Sequence, residues 1–150
     1  YNFHEPLTVA QHTKLVMDIA HKKFKQDTFL STACRIHDFP EAYYGDLSSP
    51  LKKHFGDFYR EKIRAIDQTV IEYFWLPYKS VIGLDGQPVH KAYWEVEHDV
   101  KIADTISLRI EQSMMWGSVP PEPEIIQFFE TFDTRAMFLE CFETKHVKLV

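Results

Sequence analysis

The sequence predicts an all-α fold formed by a single domain. The chain has 150 residues, a length that suits one domain with one sizeable core. Only 5 residues are glycine whereas 15% are aromatic, and this balance favours long packed elements over a turn-rich β architecture. In most segments, apolar residues recur at three- and four-residue steps, the spacing of one face of an α-helix. We therefore expect any strand to be short and peripheral.

Capping and apolar spacing predict the first two helices. Thr8 is a favourable N-cap, and the apolar residues after it follow helical spacing: Val9, Leu15, Val16, Ile19 and Ala20. A second helix is predicted over residues 28–35, with an apolar face formed by Phe29, Leu30, Ala33 and Cys34. Pro40 then breaks or redirects the chain, and the stretch "GDLSSP" predicts a loop that Pro50 closes.

Three further helices follow. Residues 57–74 have the clearest periodicity, with a predicted apolar face of Phe58, Ile63, Ile66, Val70, Ile71 and Phe74. The stretch "IGLDGQP", residues 82–88, predicts a loop or small hairpin because Asp85-Gly86 favours a tight turn. A long helix is predicted over 92–115, "GSVPPEP" ends it, and a last helix is predicted over 124–139.

Charge and composition exclude several classes of protein. The net charge is −5 and no stretch is dense in Lys and Arg, which argues against nucleic acid polymers as partners. No apolar run approaches the roughly 18 residues of a membrane span, and no secretory signal opens the sequence. The two cysteines, Cys34 and Cys141, fit a reducing compartment. These features predict a cytoplasmic protein that does not bind membranes.

The stretch "IHDFPEAYYGD", residues 36–46, sets four ionisable side chains in an otherwise apolar, aromatic or small run. Such side chains are costly to bury unless they are paired or bind a metal. His37 and Asp38 are adjacent, and adjacent side chains point about 100° apart on a regular helix. Both could reach one ion where a helix ends, and Pro40 provides a reason for such an end. By itself, however, a His-Asp pair is a weak signal.

Two other helices are predicted to direct ionisable side chains inward. His12 lies within the arc of Val9, Val16 and Ile19, although a lone histidine there is more commonly a satisfied core residue. Asp104 lies in "VKIADTISLRIE", where a buried face is marked by Val100, Ala103, Ser107 and Leu108. An aspartate on such a face is costly unless a cation neutralises it.

Together, the four candidates would offer two imidazoles and two carboxylates: His12, His37, Asp38 and Asp104. This donor set suits Mn²⁺, Fe²⁺, Co²⁺ or Zn²⁺. Glu41 lies three residues after Asp38, and a carboxylate close to a metal can take a proton from the attacking water. On spacing alone, a surface glutamate is the commoner interpretation. Asp46, after Gly45, is typical of a turn.

These residues resemble the HD-domain metal phosphohydrolases. The resemblance is carried by "VAQH" (9–12), "HDFPEAYYGDLSSPLK" (37–52) and "IADTISLRIE" (102–111). It is closest to the branch of bacterial 5′-deoxynucleotidases and phage deoxynucleoside triphosphate hydrolases. That branch has a His after Val-Ala-Glu/Gln, an HD dyad, a Glu three residues later, Gly-Asp ahead of Pro-x-Lys, and a later Asp on a long helix. The match runs from Val9 to about Glu111.

The resemblance implies one HD-domain helical bundle over residues 1–150 that binds one divalent ion, Co²⁺, Mn²⁺ or Zn²⁺, with Fe²⁺ as an alternative. The implied metal ligands are His12, His37, Asp38 and Asp104. Glu41 would act on the attacking water, and Asp46 would bind a sugar hydroxyl or polarise the site. Lys52 would meet a phosphate or be a solvated lysine. The resemblance also implies a homo-oligomer.

The sequence departs from the family pattern at one position. The family has an arginine that meets the phosphate about a dozen residues before the first histidine, and that position falls ahead of Tyr1. We therefore expect the N-terminal segment of the domain to be truncated. Within the segment that remains, His4 is a candidate phosphate donor.

The expected activity is metal-dependent hydrolysis of deoxynucleotides of the 5′-deoxynucleotidase type, which yields a deoxynucleoside and phosphate. The first alternative is a triphosphohydrolase that releases triphosphate from a dNTP such as dATP. A cyclic- or signalling-nucleotide phosphodiesterase is disfavoured, because the extra histidines of a two-metal site have no assigned positions. The non-enzyme alternative is a catalytically silent module that binds metal or nucleotide.

Overall fold

The chain forms the predicted all-α bundle, with one small hairpin at its edge. The computed structural model describes residues 6–24, 27–45, 49–82 and 84–144. Within these ranges the elements are α1 Val9–Lys23, α2 Thr28–Ile36, α3 Glu41–Tyr44, α4 Ser49–Trp75, β1 Ser80–Ile82, β2 Pro88–His90, α5 Trp94–Trp116, α6 Pro123–Thr131 and α7 Thr134–Glu143. No helix in the described part of the chain is long and apolar enough to cross a membrane.

The hydrophobic core lies where α1, α2, α5 and α7 meet. Each of these helices buries residues at three- and four-residue steps, so that one face of each is apolar. The largest side chains that are fully buried include Leu15, Ile19, Ile106, Ile110 and Phe138. This core supports the inward faces of α1 and α5, on which two of the candidate ligands lie.

The start of α1 follows the predicted cap. The Thr8 hydroxyl accepts a hydrogen bond from the Gln11 backbone N–H at 3.2 Å, and the Gln11 side chain accepts one from the Thr8 N–H at 2.9 Å. The Gln11 side-chain amide also donates to the carbonyls of Phe142 and Thr144, at 2.9 and 3.2 Å. One side chain therefore fastens the N-terminus of α1 to the C-terminus of α7, directly beside His12.

After α2 the chain forms tight turns that orient His37 and Asp38. The Phe39 N–H donates to the Ile36 carbonyl at 3.0 Å and the Glu41 N–H to the Asp38 carbonyl at 3.1 Å. These are bonds between residues three apart, as in a 3₁₀-helix. Pro40 lacks an N–H and cannot continue an α-helical ladder. Because side chains three apart eclipse in such turns, Asp38 and Glu41 lie on the same side of the segment.

Helix α4 supports this segment at two points. The Phe39 ring packs edge-on against Phe74, with 4.8 Å between the ring centroids. The Tyr44 hydroxyl donates a hydrogen bond to the Asp67 carboxylate at 2.7 Å. The segment between the two contacts contains Glu41, so α4 fixes the backbone that carries this side chain.

The hairpin and the long helix agree with the sequence prediction. Strands β1 and β2 pair in antiparallel fashion, with Ser80 opposite His90. Helix α5 ends at Trp116 because Gly117 adopts a left-handed conformation with φ of 68°, which closes the last turn through its N–H bond to the Ser113 carbonyl.

The predicted last helix over 124–139 is wrong, because this segment forms two helices. Helix α6 ends at Thr131, Phe132 is extended, and α7 begins after Asp133. The Asp133 carboxylate accepts a hydrogen bond from the Ala136 N–H at 3.0 Å, which makes it the N-cap of a new helix.

Two predictions about α4 are also wrong. The loop predicted to close at Pro50 ends earlier, since α4 starts at Ser49 and Pro50 lies in its first turn, where proline is tolerated. The predicted core face is buried only toward the C-terminus of the helix, at Val70 and Ile71, while Phe58 is 73% exposed. Gly56, with φ of 71°, interrupts the helix upstream of that exposed face.

We expect Gln11→Ala to lower the free energy of unfolding by about 1–2 kcal/mol, because it removes half of the capping box and the bonds to the end of α7. Urea denaturation followed by circular dichroism measures this change. Gln68→Ala is the matched control: Gln68 is exposed on α4 and its side chain bonds Glu72 one turn away. Equal losses in the two variants would contradict the role given to Gln11.

Candidate metal centre

The four predicted ligands converge from three parts of the chain. His12 comes from α1, Asp104 from α5, and His37 and Asp38 from the end of α2. Donor atoms of His12, His37 and Asp104 lie within 4.8 Å of one another. Asp38 adjoins this group, with one oxygen 3.2 Å from His37 Nε2 and the other 3.6 Å from His12 Nε2. Their convergence was expected, and their role as ligands stays a prediction.

The His37 ring is oriented by the helix that precedes it. Its Nδ1 lies 2.6 Å from the Cys34 carbonyl oxygen, which can only accept, so Nδ1 carries the hydrogen. Its Nε2 is buried and makes no hydrogen bond within the described residues, although carboxylate oxygens of Asp38 and Asp104 lie 3.2 and 3.5 Å away. A buried nitrogen in that state is costly unless another partner satisfies it.

The His12 ring lies between carboxylates of a single helix, α5. Its Nε2 is 3.0 Å from Asp104 Oδ1, and its Nδ1 is 3.0 Å from Glu111 Oε2. The Ser107 hydroxyl is a second neighbour of Nδ1, at 3.3 Å. Both imidazoles therefore turn Nε2 toward the shared carboxylates, while another group engages Nδ1.

The spacing of the His12, His37 and Asp104 donors fits one divalent ion, and Asp38 lies beside them. Ligand bonds of about 2.1 Å put neighbouring donors about 3.0 Å apart in an octahedral shell and about 3.4 Å apart in a tetrahedral one. The distances from Asp104 Oδ1 to Nε2 of His12 and of His37 are 3.0 and 3.5 Å, and Asp38 Oδ1 is 3.2 Å from His37 Nε2. Two imidazole nitrogens and two carboxylates are also a donor set that Zn²⁺, Co²⁺, Mn²⁺ and Fe²⁺ accept.

The pKa values of the cluster are shifted so that the imidazoles are protonated more readily and Asp104 less readily. Burial lowers the pKa of His12, but hydrogen bonds to Asp104 and Glu111 outweigh burial and raise that pKa to about 10. Burial also opposes charge on His37, yet its contacts with Asp104 and Asp38 raise its pKa. Burial raises the pKa of Asp104, but its hydrogen bond to His12 and its close contact with His37 hold that pKa well below its usual range. An ion bound at Nε2 would take the place of these protons.

Glu41 faces the same space as the candidate ligands. It lines a cavity of about 260 Å³ together with His12, Asp38, Asp104 and Glu111. The eclipsed turn that begins at Asp38 explains why the two carboxylates open on one side. Glu41 is thus near the ligand cluster, as the sequence predicted.

Among the predicted substrate residues that the structure describes, Lys52 is not brought to this cavity. Lys52 is exposed near the start of α4 and lines a different groove, between α4 and the beginning of α5. His4 and Asp46 lie outside the described residues. The phosphate and sugar contacts predicted for His4 and Asp46 therefore stay predictions.

Sequence reasoning missed the contacts of Glu111 and Ser107 with His12. Both residues were inside the stretch "IADTISLRIE", and a usable signal was present in their spacing. Ser107 and Glu111 follow Asp104 by three and seven residues, which puts all three on one face of a helix.

Comparison with family models, curated proteins and solved structures gives no match to this chain. The resemblance to HD-domain phosphohydrolases therefore depends on the quoted motifs alone. The geometry supports a narrower chemical statement, namely that donor atoms of His12, His37 and Asp104 are close enough together to hold one divalent ion, with Asp38 beside them.

We expect the protein to bind one Co²⁺, Mn²⁺ or Zn²⁺ ion, and His37→Ala to weaken binding by more than about 100-fold, beyond the usual effect of a residue outside the ligand shell. Isothermal titration and elemental analysis measure affinity and stoichiometry. Metal at 100 times its Kd should stabilise the wild type by about 2.7 kcal/mol, and a chelator should reverse this.

His98→Ala is the control for this experiment, since His98 is exposed on α5. Full metal content in His37→Ala or in Asp38→Ala would show that the ligand assignment is wrong.

Proposed function

We propose that this chain is a metal-dependent phosphohydrolase of the HD-domain type, which hydrolyses deoxynucleoside monophosphates to deoxynucleosides and phosphate. The observation that carries the proposal is the convergence of His12, His37, Asp38 and Asp104, with Glu41 in the same cavity. The motif resemblance supplies the class of substrate. A soluble metabolite rather than a nucleic acid polymer also agrees with the net charge of −5.

A divalent ion held by the four donors would polarise a phosphoryl oxygen and lower the pKa of a water from ~15.7 towards neutrality. His12 and His37 are suited to hold such an ion because their Nδ1 atoms are engaged elsewhere and their Nε2 atoms converge. The carboxylates of Asp38 and Asp104 would supply negative charge that offsets the positive charge of the ion.

Glu41 is the proposed proton acceptor for the attacking water. Glu41 lines a cavity that three of the predicted ligands also line, and its place outside the ligand set is part of the proposal. Once protonated, the same group could return the proton to the oxygen of the departing deoxynucleoside. Asp46, one residue beyond Gly45, is the proposed contact for the sugar, and His4 is the proposed contact for the phosphate. We do not extend the phosphate proposal to Lys52, which lines the other groove.

Two further parts of the proposal concern assembly and location. Aromatic and aliphatic side chains near the start of α4 are strongly exposed, among them Phe55 at 50% and Phe58 at 73%, and a homo-oligomer would cover such a face. Cys34 and Cys141 are both free, buried thiols, which agrees with the proposed cytoplasmic location.

A substrate panel tests the proposal. With Co²⁺, Mn²⁺ or Zn²⁺, the protein should release phosphate from dNMPs, and His37→Ala should not. Release of triphosphate from dNTPs would instead favour the triphosphohydrolase alternative. A protein that binds the ion but turns over neither class would be a binding module, and the proposed activity would be wrong.

Glu41→Gln separates proton transfer from metal binding. We expect this variant to bind one divalent ion with nearly unchanged affinity, while turnover falls by roughly 10²–10⁴, the usual range for loss of a general acid or base. Steady-state kinetics and a metal titration on the same preparation measure both effects. The control is Glu130→Gln, at an exposed position on α6. Loss of the ion in proportion to activity would make Glu41 a ligand, and nearly full turnover would remove its proposed role.

A further inference from the structure

Helix α5 presents three polar side chains to His12 on successive turns. Asp104 faces Nε2 at 3.0 Å, whereas Glu111 and Ser107 face Nδ1 at 3.0 and 3.3 Å. The imidazole therefore lies along the helix, with a carboxylate at each of its two nitrogens. Only the Nε2 side also faces Asp38 and the shared donor cluster.

We infer that Glu111 is a positioning residue for His12 at the proposed metal centre, a role that rests on the proposed function. A carboxylate oxygen accepts a hydrogen bond, so Glu111 favours a hydrogen on Nδ1 of His12. Asp104 makes the same demand on Nε2, and an ion held between Nε2 and Asp104 would remove that demand, so the hydrogen of the neutral ring would then be on Nδ1. That tautomer leaves a lone pair on Nε2, directed at the cluster. Without Glu111, the ring could turn or place its hydrogen on Nε2, where it would block an ion.

The two imidazoles differ in what orients them. His37 donates from Nδ1 to a neutral acceptor, the Cys34 carbonyl, whereas His12 donates to a carboxylate whose side chain is only 16% exposed. A charged acceptor makes the opposite nitrogen a stronger electron donor, and low exposure limits screening by water. Glu111 should therefore strengthen the bond from His12 to an ion, in addition to fixing the ring.

Glu111 also lines the cavity, so a direct ligand role is the competing interpretation. The contacts favour positioning, since the Glu111 oxygen lies against Nδ1 and the cluster gathers at Nε2. The two roles predict different results when the side chain is removed.

The test is Co²⁺ binding to the full chain in the absence of nucleotide, followed by titration and by the visible absorption of the bound ion. Glu111→Ala should still bind one Co²⁺ ion, with affinity reduced by about 10- to 100-fold and a shifted absorption spectrum. Glu111→Gln keeps the shape and an acceptor oxygen, so it should recover part of the affinity. Glu97→Ala is the matched control: it lies on α5 as far before Asp104 as Glu111 lies after it, and it pairs with Lys101 at 3.4 Å.

Loss of Co²⁺ from Glu111→Ala as complete as from Asp104→Ala would make Glu111 a ligand and overturn the inference. Unchanged affinity and spectrum in both Glu111 variants would overturn it as well. Circular dichroism identifies a misfolded Ala variant, in which case Glu111→Gln decides through its spectrum and affinity. If the wild type binds Co²⁺ but hydrolyses no nucleotide, the proposed activity is wrong. The positioning role of Glu111 at the metal centre is still decided by the Co²⁺ titration.

Discussion

The mutual neutralisation of imidazoles and carboxylates inside a helical core is the constraint on which this structure depends. His37 is almost completely buried and His12 is only 18% exposed, so neither can exchange its partners for bulk water. Three separate elements must bring their polar groups to one place, or the two imidazoles would be buried without partners. The packing of α1 on α2 and α5 therefore serves two purposes, since the same faces supply the apolar contacts and the polar cluster.

Local signals in the sequence predicted most helix positions. Thr8 and its capping partner lie within one turn, and the ends of α2 and α5 depend on Pro40 and Gly117, which act on their own backbone. Two features were not predictable in this way. The break at Asp133 was hidden by apolar periodicity that continues across it, and the exposure of Phe58 depends on what covers the helix rather than on its own pattern.

In the candidate site too, residues with a local sequence signal could be predicted, whereas contacts that depend on helix packing could not. His12 and Asp104 could be identified as candidates because each lies on a predicted apolar helical face, where an ionisable side chain needs a partner, and His37 and Asp38 are adjacent in the sequence. The contact of Glu111 with His12 joins residues 99 positions apart and exists only once α1 lies against α5. A single sequence contains the spacing that permits such a contact but not the tertiary packing that makes it.

The hydrogen bonds of Gln11 make the position of a predicted ligand depend on a helix that supplies none of the four. The Gln11 side chain joins the start of α1 to the carbonyls of Phe142 and Thr144, and Gln11 directly precedes His12. Local opening at the end of α7 would break these bonds and leave the first turn of α1 with fewer restraints. A change that only loosens α7 would therefore reach the cluster through His12, without touching any of the four predicted ligands.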